Sequence, residues 1–278
     1  MTKNMHNHPP QNIKQLATTW QLTNLQPVTN LSVNYVLTGK MGHTDIVLKI
    51  INDQAAFTQE VAALQAFAGY GCPEILHQNP ELGALLLRRI MPGTTLRNYF
   101  PHADEASITI AARVMQKLHQ APLPQNHNFP SVTTWLAALD DDWHLPTHHL
   151  DRARELSQQL LATNPAHEVL LHGDLHHDNI IMCSDKAWIA LDPKGVVGDP
   201  AYEVGAFIRN PKPELLNCPD LSDLLRQRIT LFAAALGCDA QRIHHWTYVQ
   251  AILAACWNIE EGHDPAYFLH VAQLLRKD

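Results

Sequence analysis

A polar loop enclosed by short apolar runs is the feature of this 278-residue sequence that most restricts its fold. The chain passes from an apolar run at 169–171 into His-Gly-Asp-Leu-His-His-Asp-Asn at 172–179, and then returns to apolar residues at 180–182. A further apolar run at 187–191 ends on Asp192. Short apolar runs bounded by polar residues are typical of buried strands. The pattern therefore predicts polar side chains held at a fixed place between strands.

The polar residues of this loop have types and spacings that suit phosphoryl transfer. The transferred group needs positioning and charge neutralisation more than covalent help. Asp174, two residues after His172, can accept the hydrogen bond of an attacking hydroxyl, and Asn179 can bind magnesium through a neutral oxygen. Asp192, thirteen positions after Asn179, would supply a charged magnesium ligand. Bound magnesium would offset the repulsion between a nucleotide and these carboxylates.

The same spacing resembles the protein-kinase-like superfamily, in which the catalytic loop has H-R-D-x-x-x-x-N and the next aspartate lies in D-F-G. Here Gly173 replaces the arginine, and the second motif reads Asp192-Pro193-Lys194-Gly195, so both differences point away from protein kinases. The stretches HGDLHHDN and LDPKGVVGDPAYEVG closely resemble the aminoglycoside 6-phosphotransferases, also called streptomycin 6-kinases, and their hydroxyurea-phosphotransferase relatives.

The resemblance implies an α+β, bilobal, protein-kinase-like fold with a small antiparallel sheet lobe and a larger helical lobe. Met91-Pro92-Gly93 interrupts the strand pattern, because proline lacks an N–H for a ladder and glycine adopts dihedral angles that other residues avoid. We place the lobe boundary there. Residues 1–91 would form the nucleotide-binding lobe, and residues 92–278 the catalytic and acceptor-binding lobe.

Apolar spacing predicts the elements of both lobes. Runs at 31–37 and 45–51 predict a hairpin whose loop contains Gly39 and Gly42, and runs at 75–77 and 84–90 predict another strand pair. One helix is predicted before 69–71 from Phe57, Val61, Leu64 and Ala68. Three helical stripes follow the boundary, at Ile108, Ala111, Met115 and Leu118, at Leu225, Ile229, Phe232 and Leu236, and at Trp246, Val249, Leu253 and Trp257.

The resemblance implies a role for each polar residue of the loop. Asp174 is the catalytic base, Asn179 and Asp192 are the magnesium ligands, and His172 organises the loop. A direct proton-transfer role for His172 is the alternative, although Asp174 is nearer to the reaction. His176, His177 and Asp178 either shape the loop or line the acceptor pocket, and shaping is favoured because polar loop groups usually satisfy local backbone. His176 is retained as a candidate acceptor contact.

On the nucleotide side, Lys49 ends the run Ile46-Val47-Leu48, which resembles the V-A-I-K strand of kinases. It would grip the phosphates of ATP while Glu60 holds it, although a strand lysine is usually a surface residue. Gly39 and Gly42 form either a phosphate-covering loop or a plain hairpin turn. The backbone that starts at Arg89 and continues through Ile90 and Met91 would form the hinge for adenine. The choice between ATP and GTP stays open.

Acceptor contacts are predicted from charge and from the resemblance. Lys194 and Glu203 belong to the matching stretch, and Glu260 and Glu261 resemble its late acidic motif. Carboxylates would bind a guanidinium-bearing acceptor through charge-assisted bonds. The alternative for Glu260, Glu261 and the Asp140–Asp142 triplet is a solvated charge run. Asp199 is predicted to begin a helix, where capping favours a carboxylate.

The composition limits the classes of partner that the protein is expected to bind. With 20 basic and 27 acidic residues the net charge is −7, which disfavours nucleic acid and suits a cationic small molecule. No apolar run is long enough for a membrane span, and the first dozen residues lack the apolar segment of a secretory signal, so we expect a cytoplasmic protein. None of the 18 histidines has zinc-site spacing. Oligomeric state is left open.

The sequence is compatible with three functions. The first is a streptomycin-type kinase, and the second is a kinase of hydroxyurea or another small hydroxylated metabolite. The third is a non-catalytic, kinase-like nucleotide-binding protein. The complete set of five residues argues against the third, since such proteins usually lack at least one: Lys49, Glu60, Asp174, Asn179 and Asp192.

Overall fold

The N-terminal part of the fold is an antiparallel sheet. The computed structural model of the protein describes residues 12–28, 34–163 and 167–276. Five strands form this sheet: β1 (Leu22–Pro27), β2 (Tyr35–Met41), β3 (Thr44–Ile50), β4 (Ile75–Asn79) and β5 (Ala84–Arg88). Their order across the sheet is β1-β2-β3-β5-β4. A short helix, α1 (Ile13–Thr19), packs beside β1 and buries only Leu16. Helix α1 is not among the elements predicted from apolar spacing.

One glycine of the β2–β3 hairpin does not lie where the sequence predicts it. Gly39 pairs with Ile46 inside the ladder instead of lying in the loop, and a Cβ there would be 2.7 Å from Leu25 Cδ2. Gly39 therefore allows β1 to pack closely on β2. Gly42 does lie in the turn, with φ of +60°, a conformation that favours glycine. The first residues of the predicted strand at 31–37 fall outside the described ranges, and β2 begins at Tyr35.

The predicted helix between the strands is confirmed as α2 (Gln54–Ala66). Asp53 caps its N-terminus, because its Oδ1 accepts the N–H of Ala55 at 2.8 Å. Phe57, Val61 and Leu64 are buried and pack against one face of the sheet. This packing fixes the helix, and the Glu60 side chain with it, relative to β3.

Residues 89–91 lead from β5 into two smaller sheets beside the helical part. The strands are β6 (Pro92–Thr95), β7 (Val169–Leu171), β8 (Ile180–Cys183), β9 (Trp188–Ala190) and β10 (Val196–Gly198). The order β6-β8-β9 makes one sheet, and β7 pairs with β10. The apolar runs around the polar loop are thus strands, as predicted. The loop of 172–179 leaves β7 and enters β8.

Seven helices of the described residues follow β6 and form the largest core. They are α3 (Asp104–Leu118), α4 (Val132–Leu136), α5 (Thr147–Ala162), α6 (Val204–Ile208), α7 (Leu221–Leu236), α8 (Ala240–Glu260) and α9 (Ala266–Leu275). The predicted stripes of α3, α7 and α8 are buried, except that Leu236 and Trp257 are half-buried. None of the helices in these ranges has the length and apolar character needed to cross a membrane.

Candidate active site

Three charged side chains from separate elements meet beside β3, the middle strand of the five-stranded sheet. Lys49 on β3 is buried, and its Nζ lies 2.8 Å from both carboxylate oxygens of Glu60 on α2. The same Nζ lies 3.2 Å from Oδ1 of Asp192, which follows β9. The sequence prediction treated Lys49 and Glu60 as a pair, and the structure brings them together with Asp192.

The electrostatics of this cluster follow from its opposite charges. Burial lowers the pKa of the Lys49 ammonium, but the carboxylates of Asp192 and Glu60 outweigh it, so this pKa lies above its usual range. Burial raises the pKa of Asp192, yet the ammonium groups of Lys49 and Lys194 lower it further and the net direction is down. Asp192 is therefore an anion, and 48% of its side chain remains exposed.

His172 fixes the start of the polar loop from inside. The side chain is fully buried, its Nε2–H donates to the backbone oxygen of Leu191 at 2.6 Å, and its Nδ1 accepts the N–H of Asp174 at 3.2 Å. Burial lowers the pKa of the imidazole, which keeps the neutral ring. Both ring nitrogens are used in hydrogen bonds to backbone groups, and this geometry supports the loop-organising role over proton transfer.

Glu203 holds the loop from behind and does not lie where it was predicted to lie. Its Oε2 accepts the N–H of His172 at 2.6 Å and its Oε1 accepts the N–H of Gly173 at 3.0 Å. The residue is only 1% exposed. A carboxylate buried in this way braces the backbone and offers no surface to an acceptor, in contrast to the predicted acceptor contact.

The remaining polar residues of the loop come together around Asp174. Asn179 donates its side-chain N–H to the backbone oxygen of Asp174 at 2.9 Å, which turns its amide oxygen away from that carbonyl. The backbone oxygen of Asn179 accepts the N–H of Leu191 at 2.8 Å, so Asn179, which precedes β8, and Asp192, which follows β9, lie at the same end of this strand pair. Hydrogen bonds thus connect the segments that carry Asp174, Asn179 and Asp192.

His176, His177 and Asp178 shape the loop. His176 accepts the N–H of Asp178 on its Nδ1 at 3.2 Å, and its Nε2 lies 3.7 Å from Oδ2 of Asp174. His177 is fully buried and stacks on Phe207 at 3.9 Å between ring centroids. Asp178 pairs with Arg97, whose Nη2 lies 2.7 Å from its Oδ2. None of these three side chains lines the acceptor pocket described next.

A pocket of about 410 Å³ opens in front of Asp174. Aromatic walls come from Trp135 of α4, Trp257 of α8 and Phe268 of α9, and the charged lining is Asp174, Lys194, Arg209 and Glu261. Of the predicted acceptor contacts, Asp174, Lys194 and Glu261 are present. Glu260 is exposed and is not part of the lining. Trp135, Arg209 and Phe268 carry no sequence signal for a site, and the helical spacing of Trp257 predicts a core position.

The glycine that replaces the kinase arginine explains one wall of this pocket. Gly173 has φ of +86°, and a Cβ on it would be 2.7 Å from Cη2 of Trp135 and 3.3 Å from Cβ of Lys194. Such distances leave no room for a side chain. Gly173 therefore lets the Trp135 indole lie directly against the catalytic loop.

Other predicted residues are placed as follows. Asp199 caps the turn that starts at Pro200, accepting the N–H of Ala201 at 2.9 Å, and it also pairs with Arg242. This agrees with its structural interpretation. The backbone N–H of Arg89 donates to Asp45 at 2.9 Å, so it is already used within the sheet. Ile90 and the exposed Met91 continue the connection between the two sheets.

The Asp140–Asp142 triplet also lies away from the acceptor pocket. Asp140 lies 3.7 Å from Arg154, Asp142 pairs with His144, and both side chains are at least four-fifths exposed. Partners and exposure of this kind are typical of a solvated charge run. The structure thus supports the solvated interpretation of the triplet.

The side chains that would hold magnesium here are those of Asp192 and Asn179. Magnesium usually takes one or two protein oxygens together with phosphate oxygens and water. The half-exposed Asp192 carboxylate beside Lys49 and the amide oxygen of Asn179 fit a cation that is shared with a nucleotide.

Comparison with solved structures defines the class. The chain aligns over 95% of its length with 95% of choline kinase from Streptococcus pneumoniae, with a TM-score of 0.70 and 12% identity. It also aligns over 95% with 98% of a thermostable mutant of an aminoglycoside phosphotransferase in complex with ADP and hygromycin B, with a TM-score of 0.68 and 15% identity. The fold is that of the protein-kinase-like small-molecule kinases.

Sequence comparison then gives the family. The model of the aminoglycoside/hydroxyurea antibiotic resistance kinases matches residues 20–262, and the chain belongs to this family. Streptomycin 6-kinase from Streptomyces glaucescens is 26% identical over 282 residues, which cover 96% of this chain and 89% of that relative. The protein is therefore a phosphotransferase with an alcohol group as acceptor, as predicted.

Proposed function

We propose that this protein is an ATP- and magnesium-dependent kinase of the cytoplasm that phosphorylates a hydroxyl of streptomycin. One observation carries the proposal: bonds of the Leu191 backbone to His172 and Asn179 join the Lys49–Glu60–Asp192 cluster to the Asp174–Asn179 loop, and Asp174 also lines the pocket of about 410 Å³. A donor side and an acceptor side of a phosphoryl transfer are thereby joined at Asp174.

On the donor side, residues 1–91 would bind the nucleotide and residues 92–278 would supply the catalytic loop and the acceptor pocket. Lys49 is presented by the bidentate Glu60 and would bind phosphate oxygens. Asn179 and Asp192 would hold magnesium, which when bound neutralises charge on the phosphates. The hinge at Arg89, Ile90 and Met91 and the turn at Gly42 would enclose the base and the phosphates.

On the acceptor side, Asp174 would accept the proton of the attacking hydroxyl. Glu203 and His172 hold the backbone of residues 172–174, so the carboxylate is positioned before an acceptor arrives. Positioning of this kind lowers the barrier because the reactants need not be ordered in the reaction step.

Streptomycin is favoured over smaller acceptors by the size and lining of the pocket. Sites for drug-sized ligands have volumes of about 300–1,000 Å³, and this pocket falls in that range. Its indole walls and the carboxylates of Asp174 and Glu261 suit a cationic group through cation–π and charge-assisted contacts. The streptomycin 6-kinase relative, although only 26% identical, supports the same acceptor.

A second candidate is hydroxyurea or another small neutral alcohol, and one observation favours it. Arg209 and Lys194 line the same pocket, and two cations near Asp174 disfavour a multiply charged acceptor. The family description includes hydroxyurea as well as aminoglycosides.

An ADP-release assay with purified protein would decide between the two. The panel would contain streptomycin, hydroxyurea, other aminoglycosides and small alcohols, each with ATP and magnesium, and Asp174→Asn would serve as the inactive control. Turnover with streptomycin, confirmed by mass of the phosphorylated product, is the expected result. Turnover with hydroxyurea alone would replace the first candidate by the second, and no turnover with any acceptor would refute both.

A further inference from the structure

The buried guanidinium of Arg209 is a feature that the phosphoryl-transfer motif does not explain. Arg209 follows α6, and its side chain is only 8% exposed. Its Nη1 donates to Oε1 of Gln250 on α8 at 3.2 Å, and its backbone oxygen accepts the hydroxyl of Tyr267 on α9 at 2.8 Å. Gln250 of α8 thus holds the guanidinium and Tyr267 of α9 holds the backbone of Arg209, which lines the acceptor pocket.

The position of Gln250 is itself tightly determined. A Cβ at position 205 would be 2.6 Å from Nε2 of Gln250, so glycine is required there. Gln250 also donates to the backbone oxygen of Tyr202. Arg209 is therefore held by a partner that cannot move away easily, and the guanidinium has little freedom to follow a moving carboxylate.

A buried cation is costly unless an opposite charge compensates it. Within the described ranges, Asp174 supplies the one carboxylate found within 4.0 Å of Arg209, with Nη2 at 4.0 Å from Oδ1. Gln250 is neutral, and Nε of Arg209 has no hydrogen-bond partner among the described residues. The charge of Arg209 thus has its compensation in the catalytic carboxylate.

Asp174 is correspondingly placed between two fixed groups. Oδ1 faces Arg209, and Oδ2 lies 3.7 Å from Nε2 of His176. At 4.0 Å the contact with Arg209 is coulombic and not a hydrogen bond, so Oδ1 keeps its capacity to accept a bond from an acceptor hydroxyl. Rotation of the carboxylate would separate Oδ1 from the fixed cation and cost this attraction.

We propose that Arg209 is a positioning residue that orients the Asp174 carboxylate toward the acceptor hydroxyl through a buried charge pair. The proposal rests on the function proposed above, in which Asp174 is the base. It differs from direct acceptor binding by Arg209, because a residue that acts through Asp174 changes kcat and not the acceptor KM.

The test is a double-mutant cycle in the full-length protein. Arg209→Gln is measured alone and together with Asp174→Asn, with ATP and whichever panel acceptor is turned over. We expect Arg209→Gln to lower kcat about 10²-fold, as for a misplaced catalytic group, with the KM for ATP nearly unchanged and the acceptor KM not raised. In the Asp174→Asn background, Arg209→Gln should lower kcat hardly any further, because the carboxylate that Arg209 orients is absent.

Two further variants show whether a lower kcat comes from loss of the Arg209 charge or from a general loss of structure. Arg209→Lys keeps the charge without the fork and should recover part of kcat, while Arg152→Gln removes an exposed helical arginine paired with Glu155 and should leave kcat unchanged. An acceptor KM that rises at constant kcat, or equal losses in both backgrounds, would overturn the positioning role.

The charge pair can also be tested without any acceptor. Thermal unfolding of the four proteins of the cycle, free of ATP and acceptor, should show non-additive midpoint shifts, because each single change leaves its partner uncompensated. Additive shifts would overturn the pair. Non-additive shifts together with no turnover on the whole acceptor panel would refute the proposed function and leave the pair in place.

Discussion

The catalytic loop and the acceptor pocket share Asp174, but they are built in opposite ways. The loop is held by a bond within its own residues and by bonds to the Leu191 backbone and the buried Glu203, and its two ends enter strands. The pocket is assembled from α4, α6, α8 and α9 and from the segment after β9, with two indoles in its wall and an exposed carboxylate at its rim. Chemistry is thus fixed in a rigid local unit, whereas acceptor choice depends on distant parts of the chain.

The comparison predicts that changes in the catalytic unit lower kcat for every acceptor. The largest effect is expected for Asp174→Asn, with kcat reduced by about 10²–10⁴ because the general base is lost. ADP binding, measured by calorimetry, should be unchanged. Asp142→Asn, an exposed aspartate of the helical part, is the matched control. Unchanged turnover in Asp174→Asn would remove Asp174 from the role of base.

Removal of Lys49 should affect stability and nucleotide use together. Lys49→Met leaves Glu60 and Asp192 without their cation, and breaking a buried pair in this way costs about 3–5 kcal/mol. Urea unfolding would measure this loss, and the KM for ATP should rise for all acceptors. Lys14→Met, an exposed lysine of α1, should change neither quantity. A stable variant with normal ATP use would contradict the assigned nucleotide role.

Glu203→Gln tests whether the brace behind the loop supports catalysis. The amide keeps one acceptor oxygen but turns an N–H toward a backbone donor, and a lost bond to a buried charged group costs about 2 kcal/mol. We expect lower stability and a lower kcat with an unchanged acceptor KM. A raised acceptor KM as the main effect would instead favour the original prediction that Glu203 contacts the acceptor.

On the pocket side, Trp257→Leu should act on one acceptor class and not on the reaction step. Trp257 packs edge-on against Trp135 with ring centroids 5.7 Å apart, a contact worth about 0.5–1.5 kcal/mol. The acceptor KM should rise by a few-fold with little change in kcat. Trp20→Leu, at an aromatic contact in the sheet region, is the control. An equal fall in kcat for all acceptors would break the division between the two regions.

The smallest effect is expected at the rim. Glu261 lines the pocket and is 66% exposed, so Glu261→Gln should change binding of a cationic acceptor by at most about 1 kcal/mol, and less at high salt. A neutral acceptor should be unaffected. Glu260→Gln is the neighbouring control outside the lining. Equal effects of both variants would show long-range charge instead of contact with the acceptor.

The same contrast explains what the sequence could predict. His172, Asp174 and Asn179 act through fixed offsets within one loop, so their spacing indicates their chemistry before any fold is known. Lys49 and Glu60 are 11 residues apart, but a strand and the next helix bring them together in a local unit. The kinase-like order of the strand lysine, the catalytic loop and the later aspartate also predicts that Asp192 lies near Lys49.

Other residues carry no such signal. Arg209 ends a buried helical run, and Phe268 lies on an apolar helix, so each has an ordinary structural reason to occur where it does. Glu203 was misplaced because the direction of its carboxylate depends on two backbone N–H groups some 30 residues earlier in the chain. The predicted position of Gly39 is wrong because apolar spacing is the same for two kinds of glycine. One kind lies in a strand and lets a neighbouring strand pack closely, and the other lies in a turn.

The missing side chain at position 173 also limits how this loop can evolve. An arginine there, as in the H-R-D loop, would occupy the volume that the Trp135 ring fills, and it would have to adopt the left-handed backbone at φ of +86°. The loop and the indole would need to be replaced together, because neither single change leaves a packed structure. A loop of the protein-kinase type is therefore separated from this one by at least two coupled substitutions, one of which removes the wall that shapes the acceptor pocket.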